Sequence, residues 1–122
     1  MANTGPTQLY SGVRRWTIDT DATSIELGSA NEGTVGSFAI HLYSNSAAGN
    51  GITVEAQQQG ASTASLGWIS VDYQHDSTDV AAGTKITAAG RYYVRSDQGE
   101  VIRLSFEIAS GSWDVVVSSG AG

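Results

Sequence analysis

Side chains that could carry out chemistry are few in this chain of 122 residues, which has two histidines and no cysteine. Nucleophilic catalysis needs a general base beside the nucleophile, and histidine is the usual base. His41 alternates with Ile40 and Leu42, so it points away from the apolar face of a predicted strand, as a surface side chain does. The sequence contains no nucleophile elbow, zinc-protease motif, phosphate loop or dinucleotide-binding glycine pattern. We therefore predict that the protein is not an enzyme and has no catalytic residue and no cofactor.

The densest group of potential metal ligands is the run DYQHDSTD at 72–79. It contains Asp72, His75, Asp76 and Asp79, and oxygen-rich clusters of this kind can bind a hard cation such as calcium. The spacing matches no defined calcium loop, and acidic side chains in a polar hairpin are mostly solvated. We predict no metal site, and cation binding by these four residues stays an open alternative.

Charge is distributed unevenly along the chain, whose formal net charge is −6. Residues 1–18 contain Arg14 and Arg15 and no acid, a charge of +2, whereas residues 19–122 contain four basic and twelve acidic groups, a charge of −8. An acidic body repels nucleic acid and anionic lipid, and no apolar run reaches the ~20 residues of a membrane helix. We therefore expect no nucleic acid and no membrane as a partner. The N-terminus lacks the features of a signal peptide, which favours use without export.

The elements that must position these side chains are short strands. In the stretch 100–108, Ile102, Leu104, Phe106 and Ile108 alternate with polar residues, which is typical of a strand with one buried face. Similar short stretches of alternating apolar and polar residues recur about every ten residues, separated by turn residues, and no segment has the periodicity of an amphipathic helix. The sequence predicts an all-β fold: an antiparallel two-sheet β-sandwich, jelly-roll or immunoglobulin-like, with seven to nine short strands.

The predicted domain organisation is an extended N-terminal arm over 1–12, a single β-sandwich domain over 13–118 and a flexible tail over 119–122. The inward halves of the alternating strands should form the core. These predicted core residues are Trp16, Ile18, Phe38, Ile40, Leu42, Val54, Ile69, Val71, Tyr92, Val94, Ile102, Leu104, Phe106, Ile108, Trp113 and Val115.

The predicted partner-contact residues combine apolar anchors with cations: Leu9, Tyr10, Arg14, Arg15, Trp16 and Trp68. The basic arm would bridge the acidic body to a larger acidic surface, with its arginines paired to carboxylates. In the alternative, residues 10–18 simply form the first strand and both arginines lie on a solvated face.

Outward-pointing aromatic rings offer a second binding surface. Trp68, Tyr43 and His41 could together form a flat platform for carbohydrate. The interpretation that we favour places Trp68 in a second core layer or at a subunit interface, where tryptophan is at least as common.

The segment 84–119 reads TKITAAGRYYVRSDQGEVIRLSFEIASGSWDVVVSS. It combines a G-x-Y-x-V strand, a V-x-R-L strand, a Ser-Gly turn and a closing valine strand, through Gly90, Tyr92, Val94, Val101, Arg103, Leu104, Gly111 and Val115 to Val117. This pattern resembles the small β-sandwich virion structural proteins of tailed bacteriophages, of the capsid decoration or cement type.

The resemblance implies a non-enzymatic virion structural protein that binds the outer surface of a phage head. Its partner would be the major capsid protein or another virion protein, and it would be a homo-oligomer, a trimer or else a dimer. Its location would be the virion, assembled in the host cytoplasm. The alternative function is a ligand-binding β-sandwich module, for carbohydrate or a receptor, in a tail fibre or adhesin.

Overall fold

The computed structural model describes residues 3–10, 12–28, 36–44, 47–49, 51–58, 67–96 and 100–119. These ranges contain β-strands and no helix, so none of them holds a helix able to cross a bilayer. The strands are β1 (Thr4–Tyr10), β2 (Val13–Ile18), β3 (Thr23–Gly28), β4 (Gly36–Ser44), β5 (Gly51–Gln58), β6 (Ile69–Ser70), β7 (Tyr73–His75), β8 (Thr78–Val80), β9 (Gly90–Ser96), β10 (Glu100–Glu107) and β11 (Trp113–Ser119).

The strands form two antiparallel sheets. The large sheet has seven strands in the order β1-β2-β11-β4-β9-β7-β8, and the small sheet has four in the order β3-β10-β5-β6. This arrangement confirms the predicted all-β, two-sheet antiparallel sandwich. The strands in the described ranges outnumber the predicted seven to nine because β6, β7 and β8 are two or three residues long, too short for alternation to reveal.

The core lies between the two sheets and is built from alternate residues of each strand. Leu104 shows the pattern: it is fully buried, and its register partners are Ile25 of β3 and Val54 of β5. Every predicted core residue is buried except Ile69 and Val71. Further buried residues complete the core: Ile25, Leu27, Ile52, Ala56, Tyr73, Ile86 and Val117.

The prediction that Ile69 is buried is wrong, because its side chain is 60% exposed. It belongs to β6, a two-residue strand at the edge of the small sheet. The chain then leaves this sheet. The Val71 amide still donates to the Val54 carbonyl at 3.1 Å, and from Gln74 the chain pairs with β9 of the large sheet. Val71 is half-buried and packs against the core at this crossing.

The crossing shortens the pairing between β7 and β9. It joins Gln74 to Tyr93 and His75 to Tyr92, and then stops. The rest of β9, from Val94 onward, runs past the start of β7 while it stays paired with β4 on its other side. An opening in the large sheet is the result.

The predicted arm, residues 1–12, contributes β1 at the edge of the large sheet. Residues Thr4–Tyr10 pair antiparallel with β2, with register shifts between Thr4 and Thr7 and between Gln8 and Tyr10. At the other end of the chain, β11 extends to Ser119. Residues 120–122 of the predicted tail lie outside the described residues, as do residues 1, 2 and 11 of the arm.

Candidate functional site

Both histidines lie on the large sheet and are engaged with tyrosines. His41 Nδ1 is 3.4 Å from the Tyr43 hydroxyl on the outer face. The His75 ring stacks on the Tyr92 ring with 4.4 Å between centroids. Gly90 makes room for this stack, because a Cβ at Gly90 would lie 2.8 Å from His75 Nε2. Each histidine is thus held by a tyrosine, His41 through a hydroxyl group and His75 through ring stacking.

The acidic run 72–79 forms the β7–β8 hairpin. Asp72 Oδ1 accepts a hydrogen bond from the Ala82 amide at 2.8 Å, and Asp79 Oδ1 accepts one from Gln74 Nε2 at 2.8 Å. Asp76 occupies the turn with φ +56°. Within the described ranges, no group of three or more His, Cys, Asp or Glu side chains could hold a metal ion. The acidic side chains thus hold the hairpin and its following loop together.

Two of the predicted contact residues tie the sheets to each other. Arg14 Nη2 donates to the Leu27 carbonyl of β3 at 2.8 Å, and its guanidinium lies 5.1 Å from the centre of the Trp16 ring. Trp16 is 5% exposed, so its ring is a core group and offers no exposed anchor. For Leu9 and Tyr10 the structure describes the backbone, within β1, and their side chains lie outside the described residues.

Trp68 lies on the outer side of the small sheet, half-buried against an ion pair. The Arg103 guanidinium is 4.3 Å from the centre of the Trp68 ring, and Arg103 Nε donates to Glu55 Oε1 at 2.7 Å. Tyr43 and His41 lie on the outer face of the other sheet. The three aromatic residues therefore do not form the single platform that the sequence suggested.

One row of side chains crosses the outer face of four neighbouring strands of the large sheet. Val116 of β11 is paired with Arg15 of β2 and with His41 of β4, and His41 is paired with Arg91 of β9. Paired residues project to the same face of a sheet, so these four residues form what we call the cross-strand row. Tyr43 extends the row beside His41 and is 53% exposed.

The cross-strand row carries a formal charge of +2 in a chain of −6. Each arginine has a carboxylate nearby: Arg15 Nη2 is 3.4 Å from Asp114, and Arg91 Nε is 3.7 Å from Asp76. The arginine side chains are 50% and 63% exposed. A guanidinium has five N–H donors, more than one such contact uses, so both can also bind carboxylates of a partner.

The opening beside β9 is a groove of about 1150 Å³. The apolar part of its lining consists of the exposed Ala81 and of Tyr73, Val80 and Val94, which are buried or half-buried. The Tyr73 hydroxyl donates to the Thr84 carbonyl at 2.8 Å, and burial raises the pKa of Tyr73. The apolar part of the groove is therefore neutral at physiological pH.

The polar lining of the groove projects from the outer face of the large sheet: Ser37, Asp72, Gln74, Asp79, Tyr93 and Arg95. The sequence marked Asp72 and Asp79 as candidate cation ligands, but gave no sign of Tyr93 and Arg95 as their neighbours. The groove lies where the chain crosses between the sheets. A sequence signal for that crossing could have revealed the groove, but the crossing depends on β6, a strand of only two residues.

No protein-family model, curated protein or solved structure matches the chain. The segment 84–119, on which the sequence resemblance to virion proteins rests, contains β9, β10 and β11, and these strands contribute to both sheets.

Proposed function

We propose that the protein is a non-enzymatic virion structural protein of the capsid decoration type. It binds the major capsid protein on the outer surface of a tailed-phage head. The cross-strand row is the observation that carries this proposal, because it places two arginines, each at least half exposed, on one outer face of an acidic protein. The resemblance of residues 84–119 to such proteins supports the same assignment.

The composition of the row suits a protein–protein interface. Arginine and tyrosine are enriched among the residues that dominate binding energy. Arg15, Arg91 and Tyr43 are each at least half exposed. They project from the paired strands of a sheet, so little conformational entropy of the backbone is lost on binding.

We propose that this sheet face, rather than the N-terminal arm, makes the contact with the head. Arg14 is bound to the Leu27 carbonyl and Trp16 is buried, whereas Arg15 points outward into the row. Of the predicted contacts in residues 13–16, Arg15 is thus the one that can pair with partner carboxylates.

We further propose that the protein acts as a homo-oligomer, a trimer or else a dimer. Closed symmetric assemblies are the usual form of homo-oligomers. Each copy would present its own cross-strand row to the shell, and simultaneous attachment of several rows raises the overall affinity without new contacts.

The test sediments DNA-free phage heads after incubation with the purified protein. We expect saturable, stoichiometric binding, and a loss of roughly tenfold or more in affinity for Arg91→Glu, since truncating an interface anchor costs over 1 kcal/mol. Lys85→Glu is the matched control: it makes the same change of charge, but Lys85 pairs with Glu107 of the small sheet. The proposal is refuted if the heads sediment without the parent protein. Equal losses of affinity for Arg91→Glu and Lys85→Glu would refute the role of the cross-strand row.

A further inference from the structure

We propose that the groove beside β9 is a binding site for a neutral oligosaccharide. This function is separate from head binding and uses different residues. The groove lies where the chain crosses from the small sheet to the large one, and it combines apolar and polar lining residues.

The size of the groove suits a ligand of more than one sugar ring. Its volume of about 1150 Å³ exceeds the roughly 300–1,000 Å³ typical of small-molecule pockets. The half-buried Val80 offers apolar surface to the C–H faces of a sugar, above the buried Tyr73 and Val94, and the half-buried Tyr93 adds an aromatic side chain among the polar groups. An aromatic ring with a polar end suits sugars, which are themselves apolar on their faces and polar at their edges.

The polar groups of the groove alternate between acceptors and donors. Asp72 and Asp79 are acceptors, and each uses one carboxylate oxygen in a hydrogen bond at 2.8 Å, to the Ala82 amide and to Gln74 Nε2. A carboxylate has about four acceptor positions, so both retain capacity for ligand hydroxyls. Arg95 is exposed and contributes guanidinium N–H donors. A hydroxyl group both donates and accepts, and so it can satisfy either kind of neighbour.

The groove holds charges of both signs. An anionic ligand would meet the two carboxylates of Asp72 and Asp79, and a cationic ligand would meet the Arg95 guanidinium, so neither kind of ion finds only complementary charge there. Metal ions have no suitable set of three ligands within the described residues. A neutral ligand rich in hydroxyl groups is the class that meets all of these conditions. The hydrogen bonds of Asp72 and Asp79 also hold the polar groups in place before binding, which lowers the entropic cost.

The first experiment screens the protein on an array of neutral and sialylated glycans. The strongest neutral binder is then titrated into ¹⁵N-labelled protein and followed by NMR. We expect binding to neutral glycans, with the largest amide shifts at Gln74, Asp79, Tyr93 and Arg95. The proposal is overturned if no neutral glycan binds, if sialylated glycans bind more tightly, or if the shifts map outside the groove.

Matched tyrosine variants test the position of the site. Tyr93→Ala should weaken glycan binding roughly tenfold, the loss expected when an aromatic contact is removed. Tyr43→Ala, on the same sheet face but outside the groove, should leave binding unchanged. Equal effects of the two variants, with both folded by circular dichroism, would overturn the assignment.

A third variant separates this site from the head-binding surface. Asp79→Asn keeps an oxygen that can accept from Gln74 but removes the charge, and we expect a loss in glycan affinity of about fivefold or more. Its binding to phage heads should equal that of the parent. Unchanged glycan affinity would refute a role for Asp79 in the site, whatever the outcome of the head-binding assay.

Discussion

Valine occupies three consecutive positions of β11, and alanine replacements at two of them test the assigned faces of the sandwich. Val115 is fully buried and is paired with Trp16 and Leu42, which are also buried. Val116, its neighbour, lies in the cross-strand row on the outer face and is half-buried. Val115→Ala and Val116→Ala therefore make the same chemical change at adjacent positions that face opposite sides.

The two substitutions should differ in cost because only one opens a cavity. Removing the apolar surface of two buried carbon groups costs about 1.6 kcal/mol at ~0.8 kcal/mol each. The cavity that remains adds about 1 kcal/mol, so Val115→Ala should lower the free energy of unfolding by about 2–3 kcal/mol. Both variants lose the strand propensity of valine, which is worth up to about 1 kcal/mol. We expect Val116→Ala to cost about 1 kcal/mol or less.

Urea unfolding followed by tryptophan fluorescence measures both values, since Trp16 and Trp113 are buried in the core. The dependence of the free energy on urea concentration should be unchanged in both variants, because the surface exposed on unfolding is nearly the same. A Val116→Ala variant that loses as much stability as Val115→Ala would refute the register of β11 and the cross-strand row with it.

Three further predictions use other parts of the molecule. Gly51→Ala should destabilise the fold by more than about 1 kcal/mol in urea unfolding. Gly51 has φ +101°, and a Cβ there would overlap the Ile86 carbonyl oxygen. A neutral effect would contradict this backbone conformation of Gly51. Burial raises the pKa of Tyr73, and burial followed by the charges of Tyr73 and Asp76 raises that of Tyr92, above the ordinary value of 10.0. Both hydroxyls are protonated in the folded and unfolded chains well below pH 10, whereas above it the unfolded chain loses its protons first. Stability should therefore fall as the pH rises through and beyond 10, and Tyr→Phe at both positions should flatten that slope. Light scattering should give about three times the chain mass of 12.7 kDa, and a monomer at high concentration would contradict the proposed trimer.

Alternation of apolar and polar residues made the fold class predictable. Residues 102–108 alternate without interruption and residues 113–117 alternate except at Val116, and their inward residues are buried as expected. The same reasoning failed at Ile69, because a two-residue strand has no period to detect and the chain leaves the sheet directly after it. Burial there depends on a change of sheet, which local sequence does not encode.

The candidate sites depend on contacts between distant strands, and the sequence revealed them only in part. Arg15 was recognised as a contact candidate, but Arg91, on the same row, is 76 positions further along the chain. Likewise, Asp72 and Asp79 were recognised as chemical groups, while their proximity to Tyr93 follows from the pairing of β7 with β9. Residue types are visible in a sequence, whereas neighbours across a sheet require the register.

The position of β2 between β1 and β11 has a consequence for biosynthesis. Residues Val13–Ile18 leave the ribosome well before one of their two neighbouring strands, Trp113–Ser119, is made. Pairings between strands so far apart in sequence form slowly. The edges of β2 and β4 that pair with β11 therefore keep unsatisfied backbone groups until β11 is inserted between them. A chain terminated before residue 113 would keep both edges open in the middle of the large sheet, and would aggregate instead of forming a smaller sandwich.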